Sequence, residues 1–90
     1  MKLRVRKGFI TQRKGDSITI FDTEKSVLHT FNSTATFIFD RLKMKLDTKE
    51  IVSQMVEEFS VSQEKAEQEV NKFIEVLLSE NIIAKKTSSK

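Results

Sequence analysis

The 90-residue sequence has no cysteine, no proline, no tryptophan and no tyrosine, only two glycines and a single histidine. Each absence excludes something. Without cysteine there are no disulfides, no thiolate nucleophile and no Cys-based zinc site, and the chain suits a reducing, cytoplasmic setting. Without proline, and with glycine only at Gly8 and Gly15, long irregular loops are not expected. Two isolated glycines also form no phosphate-cradling loop. Uninterrupted apolar runs reach three residues at most, as in "FIF" (37–39) and "VLL" (76–78), so no membrane span is expected. The basic start "MKLRVRKGFITQRK" lacks the apolar stretch of a signal peptide.

What is present fits one small domain with a thin core: 38% apolar residues and 32% charged residues, net +3. The charge is uneven. Residues 1–14 carry six Lys/Arg and no acid, whereas residues 62–80 carry five Glu against Lys65 and Lys72. The basic flank can touch an acidic partner or nucleic acid, but it reads first as a solvated arm that favours solubility.

Three alternating runs open the chain. "FITQR" (9–13) and "ITIF" (18–21) flank a Gly15-Asp16 turn signal, and "VLHTF" (27–31) follows the polar "DTEKS". These short spacings predict an antiparallel meander. After Asn32 the period changes to that of a helix, with Ala35, Ile38, Phe39 and Leu42 on one face. Asn32, Ser33 or Thr34 can cap it, because their oxygens accept the free N–H groups of a first turn. Asp47 with Glu50 forms a capping-box pattern before a second stripe: Ile51, Met55, Val56 and Phe59. Ser62 restarts the pattern, and the third stripe is Ala66, Val70, Phe73, Ile74, Leu77 and Leu78. Asn81 can close that helix in a left-handed turn. Three strands followed by three helices predict an α+β domain over residues 1–83, with 84–90 as a flexible basic tail.

No catalytic set emerges. His29 shares a strand face with Val27 and Phe31 and has no evident partner ligand or orienting acid. Glu57 and Glu58 are adjacent and point to different sides of a helix. No cofactor and no metal are expected. Helices two and three resemble a helix-turn-helix pair, which raises a winged-helix DNA-binding regulator as the rival reading. The reading helix, however, would carry Glu64, Glu67, Glu75 and Glu80, a face that repels phosphates. A surface for another chain remains: a small meander has free edges that can accept an extended peptide as a further strand.

The stretch "FNSTATFIF" (31–39) resembles the "L-N-x-T-A/G-x-x-I-W" signature of the pyrroloquinoline quinone biosynthesis protein D (PqqD) family, at Asn32, Thr34, Ala35 and Ile38. "DTKEI" (47–51) is similar to its "T-x-x-E-I", and Phe59 takes the place of an aromatic ending the second helix. "EVNKFIEVLLSENII" (69–83) resembles "D-V-x-x-F-L-x-x-L-x-x-x-G-L-I" at Val70, Phe73, Leu77, Ile82 and Ile83. Departures are Lys43-Met44 for the family's "D-G", Asn81 for its glycine and Glu69 for its aspartate.

The resemblance implies a winged-helix-like fold, a three-stranded antiparallel sheet followed by three helices. It implies no enzymatic activity of the chain's own. The leader of a ribosomally made precursor peptide is expected to add to the third strand and lie between it and the third helix, for presentation to a modifying enzyme such as a radical S-adenosylmethionine protein. Mapped onto this chain, the receiving strand is Val27, Leu28, His29, Thr30 and Phe31, with either face open as the groove side. The helical wall is Phe73, Val76 and Leu77 with Lys72, and Lys65, Glu69 and Lys72 can pair with charges on the leader. A monomer or a homodimer is compatible with this reading, as is a subunit that only scaffolds an enzyme.

Overall fold

The computed structural model describes residues 3–85. Its elements are β1 (Leu3–Val5), β2 (Phe9–Lys14), β3 (Ser17–Asp22), β4 (Val27–Phe31), α1 (Ser33–Lys43), α2 (Thr48–Phe59), α3 (Gln63–Ser79) and β5 (Ile83–Lys85). The three expected strands form one antiparallel sheet in the order β2-β3-β4. Lys14 pairs with Ser17, so Gly15 and Asp16 make a two-residue hairpin loop. Gly15 has φ +64°, a conformation that costs glycine little because it has no Cβ. The β3–β4 turn is built differently. Buried Asp22 accepts from the backbone N–H groups of Glu24 and Lys25 at 3.0 and 3.2 Å, which spends its carboxylate on the turn.

Central strand β3 buries Ile18 and Ile20 on one face; α1 packs on the strand, and α2 and α3 contribute to the same core. Helix α1 buries Thr36, Phe37, Ile38, Phe39 and Leu42, a wider face than a single stripe, because it meets neighbours on several sides. Phe39 leans on Phe31 of β4, and Phe37 meets Phe59 of α2 edge-on at 5.2 Å between centroids.

The helix ends follow the local chemistry. Asn32 is the cap of α1, with Ala35 N donating to its Oδ1 at 2.8 Å. Asp47 N donates to Glu50 Oε1, and Lys65 N donates to Ser62 Oγ. Two helices close in the same way. Asn81 (φ 61°) donates to the Leu78 carbonyl and Ile82 to that of Leu77; Lys45 (φ 66°) donates to Leu42 and Leu46 to Arg41. Both are left-handed closures in which a non-glycine residue takes the position glycine usually fills.

The basic N-terminal arm is not wholly a solvated flank. Leu3, Arg4 and Val5 pair with Lys85, Ala84 and Ile83, forming a β1–β5 ribbon. Leu3 and Val5 pack against the core, and Ile82 and Ile83 are buried. Strand β5 includes Ala84 and Lys85 of the segment expected as a tail; residues 86–90 lie outside the described residues. Two three-residue strands were illegible because neither shows enough period-2 pattern to stand out.

Candidate functional site

Strand β4 is an edge. Among the described residues it pairs only with β3, through Ile18–Phe31, Thr19–Thr30, Ile20–His29, Phe21–Leu28 and Asp22–Val27. Alternate N–H and C=O groups on its other side therefore have no ladder partner. Alternation settles its faces. Phe31 is buried, His29 is half-buried opposite Ile20, and Val27 shares their side, while Leu28 and Thr30 point away from the core. Leu28 is 63% exposed and continues a cross-strand apolar row with Phe21 and Ile10 on the outer face.

His29 carries an anomaly. Its Nε2 is buried and has no hydrogen-bond partner among the described residues. Such an atom costs the folded state on the order of 1–3 kcal/mol.

The chain turns at Asn32 from β4 into α1, and a hollow opens there between the start of α1 and the middle of α3. Its volume is about 260 Å³, and its lining is Asn32, Thr34, Ala35, Ile38, Glu69, Lys72, Phe73 and Val76. Phe73 anchors this wall to the strand: its ring meets Phe31 edge-on at 5.0 Å between centroids. Val76 is the exposed apolar member, at 47%. Small Ala35 at the start of α1 leaves the space that a larger side chain would fill.

Glu69, Lys72, Phe73 and Val76 are thus brought to one wall. The strand residues Val27, Leu28, His29, Thr30 and Phe31 form the adjoining edge and do not line the hollow itself. Leu77 is fully buried and belongs to the core instead of the wall, since it lies on the central line of the α3 stripe. Lys65 stands one turn before Glu69 with its Nζ 3.8 Å from the Glu69 carboxylate. Asn32, Thr34, Ala35 and Ile38 were missed as lining residues, because capping and core packing already accounted for each of them. The available signal was the run of small and polar residues opening an otherwise bulky helix.

No group of three or more His, Asp or Glu side chains that could hold a metal ion occurs among the described residues. No described helix is long and apolar enough to cross a membrane. The site offers main-chain hydrogen bonding, apolar contact and a few exposed charges.

No curated protein sequence matches the chain. Two solved structures share its fold. One is that of TbiB1 in complex with the TbiA(beta) leader peptide, with a TM-score of 0.86 at 14% identity, covering 94% of this chain and 99% of that one. The other is lasso peptide synthetase B1 complexed with the leader peptide, with a TM-score of 0.85 at 17% identity, covering 93% and 99%. The family model described as Coenzyme PQQ synthesis protein D (PqqD) matches residues 18–83, from β3 through all three helices to the start of β5. The chain belongs to the PqqD family.

Proposed function

We propose that this protein is a peptide-binding module that captures the leader segment of a ribosomally made precursor peptide and presents it to a separate modifying enzyme. The leader adds antiparallel to β4 at its free edge. Main-chain hydrogen bonds supply affinity, and side chains that reach the hollow beside α3 supply selection. The observation that carries this reading is the open edge of β4 adjoining a hollow walled by exposed Val76. The two structures of like fold support it, since both are named as complexes with leader peptides.

The module does no chemistry of its own. It raises the effective concentration of the precursor at the enzyme, a radical S-adenosylmethionine protein being one fitting class. Lys65 and Lys72 favour leaders with acidic residues near the ladder segment. The work is done in the cytoplasm, where precursor peptides are made.

Titration tests this with labelled synthetic leaders from the short open reading frames flanking its gene. One of them binds with a Kd of roughly tens of micromolar or tighter. Val76→Glu weakens that leader by about tenfold or more, by placing a charge on an apolar contact. Because Val76 is exposed, the variant melts as the parent does. Failure of every leader to bind in this range, or full affinity in Val76→Glu, overturns the reading.

A further inference from the structure

The sheet has a second face. Alternation along β3 sends Ile18 and Ile20 into the core and turns Thr19 and Phe21 the other way. In register with them, Ile10 of β2 and Leu28 of β4 flank Phe21, while Gln12 and Thr30 flank Thr19. Ile10 and Leu28 are 62% and 63% exposed and Phe21 is half-buried. No described element therefore covers the row Ile10–Phe21–Leu28, which crosses all three strands. Single exposed apolar residues are ordinary, but three large ones side by side mark a surface that another chain covers. The rest of the face is nearly neutral. Among the described strand residues that point outward, Lys14 alone is charged, and it stands at the hairpin end.

We infer that this outer sheet face is the docking surface for the modifying enzyme, which meets it with an uncharged apolar patch. The inference rests on the reading of β4 as the receiving edge. Two observations choose this occupant over a second copy of the chain. The first is size. Three strands of five or six residues, about 4.8 Å apart and rising about 3.3 Å per residue, present a face of roughly 14 by 18 Å. Even doubled for relief, that is about 500 Å², short of the roughly 800 Å² that a stable pair buries on each partner. The second is position. Leu28 and Thr30 belong both to this face and to β4, so the row ends at the strand that receives the leader. An added strand prolongs the same face, with alternate side chains of its own beside Leu28. A protein seated on the row spans module and leader together, gains the area that three strands lack, and lies against the substrate it modifies. The neutral surround sets the chemistry of the contact. A charge pressed onto the row would lose its water without gaining a partner, and a polyanion would find one cation, Lys14.

Binding of purified enzymes to the immobilised full chain tests this. The probes are the enzymes encoded beside its gene, each applied alone and together with a synthetic leader that binds. One enzyme binds the parent, and binds it more tightly when the leader is present. Ile10→Lys, at the end of the row far from β4, weakens that enzyme by about tenfold or more and leaves leader affinity as in the parent. Thr11→Lys adds the same charge to the same strand, but alternation points it to the other side of the sheet, and enzyme affinity is unchanged. Both residues are exposed, so both variants keep the parent's circular dichroism and melting. Full enzyme affinity in Ile10→Lys, or equal loss in Thr11→Lys, overturns the docking face and leaves leader capture intact. So does a parent that binds no enzyme with or without leader. A parent that sediments as a dimer while Ile10→Lys is a monomer assigns the row to a second copy and also overturns the inference. An enzyme that docks through the row although no leader binds supports the face and overturns the strand-addition reading instead.

Discussion

At the scale of single residues, two side chains at the proposed receiving edge are held by opposite physics. Asn32 is satisfied: its Oδ1 takes the first-turn N–H of Ala35 at 2.8 Å and fixes the corner from which the hollow opens. Asn32→Ala leaves that donor to solvent and lowers stability by about 1 kcal/mol. Urea unfolding followed by far-ultraviolet circular dichroism measures the loss, since the chain has no tryptophan to report it. His29 is unsatisfied, with a buried Nε2 and no partner among the described residues, on a face otherwise made of Val27 and Phe31. His29→Leu removes the orphaned nitrogen and keeps an apolar body, so it raises stability by roughly 1 kcal/mol. A shift of the urea midpoint to higher concentration is the expected result. A shift to lower concentration would mean that the ring nitrogen is paired in solution. Both residues stood out in the sequence, Asn32 as one of three possible caps and His29 as a histidine without partners. Which cap acts, and which way the strand faces, depends on tertiary contacts that a single chain segment does not encode.

At the scale of elements, the edge character of β4 has a measurable consequence. Its amides on the side away from β3 have no ladder partner among the described residues and are expected to exchange with solvent rapidly, while those bonded to β3 are slowed by the sheet. Addition of a leader that binds slows the unprotected subset within residues 27–31. It leaves β2, the opposite edge, unchanged. Residue-resolved hydrogen exchange reads this directly, and equal protection of both edges would argue against strand addition. The three long helices and the meander were legible because their apolar periods span many residues: Ala66, Val70, Ile74 and Leu77 repeat cleanly and are all buried in α3. The β1–β5 ribbon was not legible, because its pairing joins Val5 to Ile83 across almost the whole chain. The hollow was legible only in part. Val76 stood out as an apolar residue off the main stripe. Asn32, Thr34, Ala35 and Ile38 looked like ordinary cap and core, and only their convergence with α3 makes a cavity of them.

At the scale of the whole molecule, charge separates along the fold. Residues 3–31, which hold β1 to β4, carry six Lys/Arg against three Asp/Glu; residues 33–80, the helices, carry six against ten. A winged-helix protein that reads DNA brings a cationic helix to the phosphates, yet α3 exposes Glu64, Glu67 and Glu75. Among the described residues only the sheet side has the sign to attract a duplex, and it offers a flat face without a helix to enter the groove. Fluorescence anisotropy with duplex DNA therefore detects only weak association, which disappears as salt rises from about 50 to 200 mM. Leader binding in the proposed mode is expected to behave differently, because main-chain bonds and apolar contacts at the β4 edge and the α3 wall are little screened by ions. Over the same salt range its Kd changes by no more than about threefold, the share carried by the exposed Lys65 and Lys72. If duplex affinity proved submicromolar and leader affinity collapsed with salt, the basic sheet side would be the working surface and the open edge incidental. Salt-tolerant leader binding together with salt-labile duplex binding assigns the work to the edge of β4 and the hollow beside it.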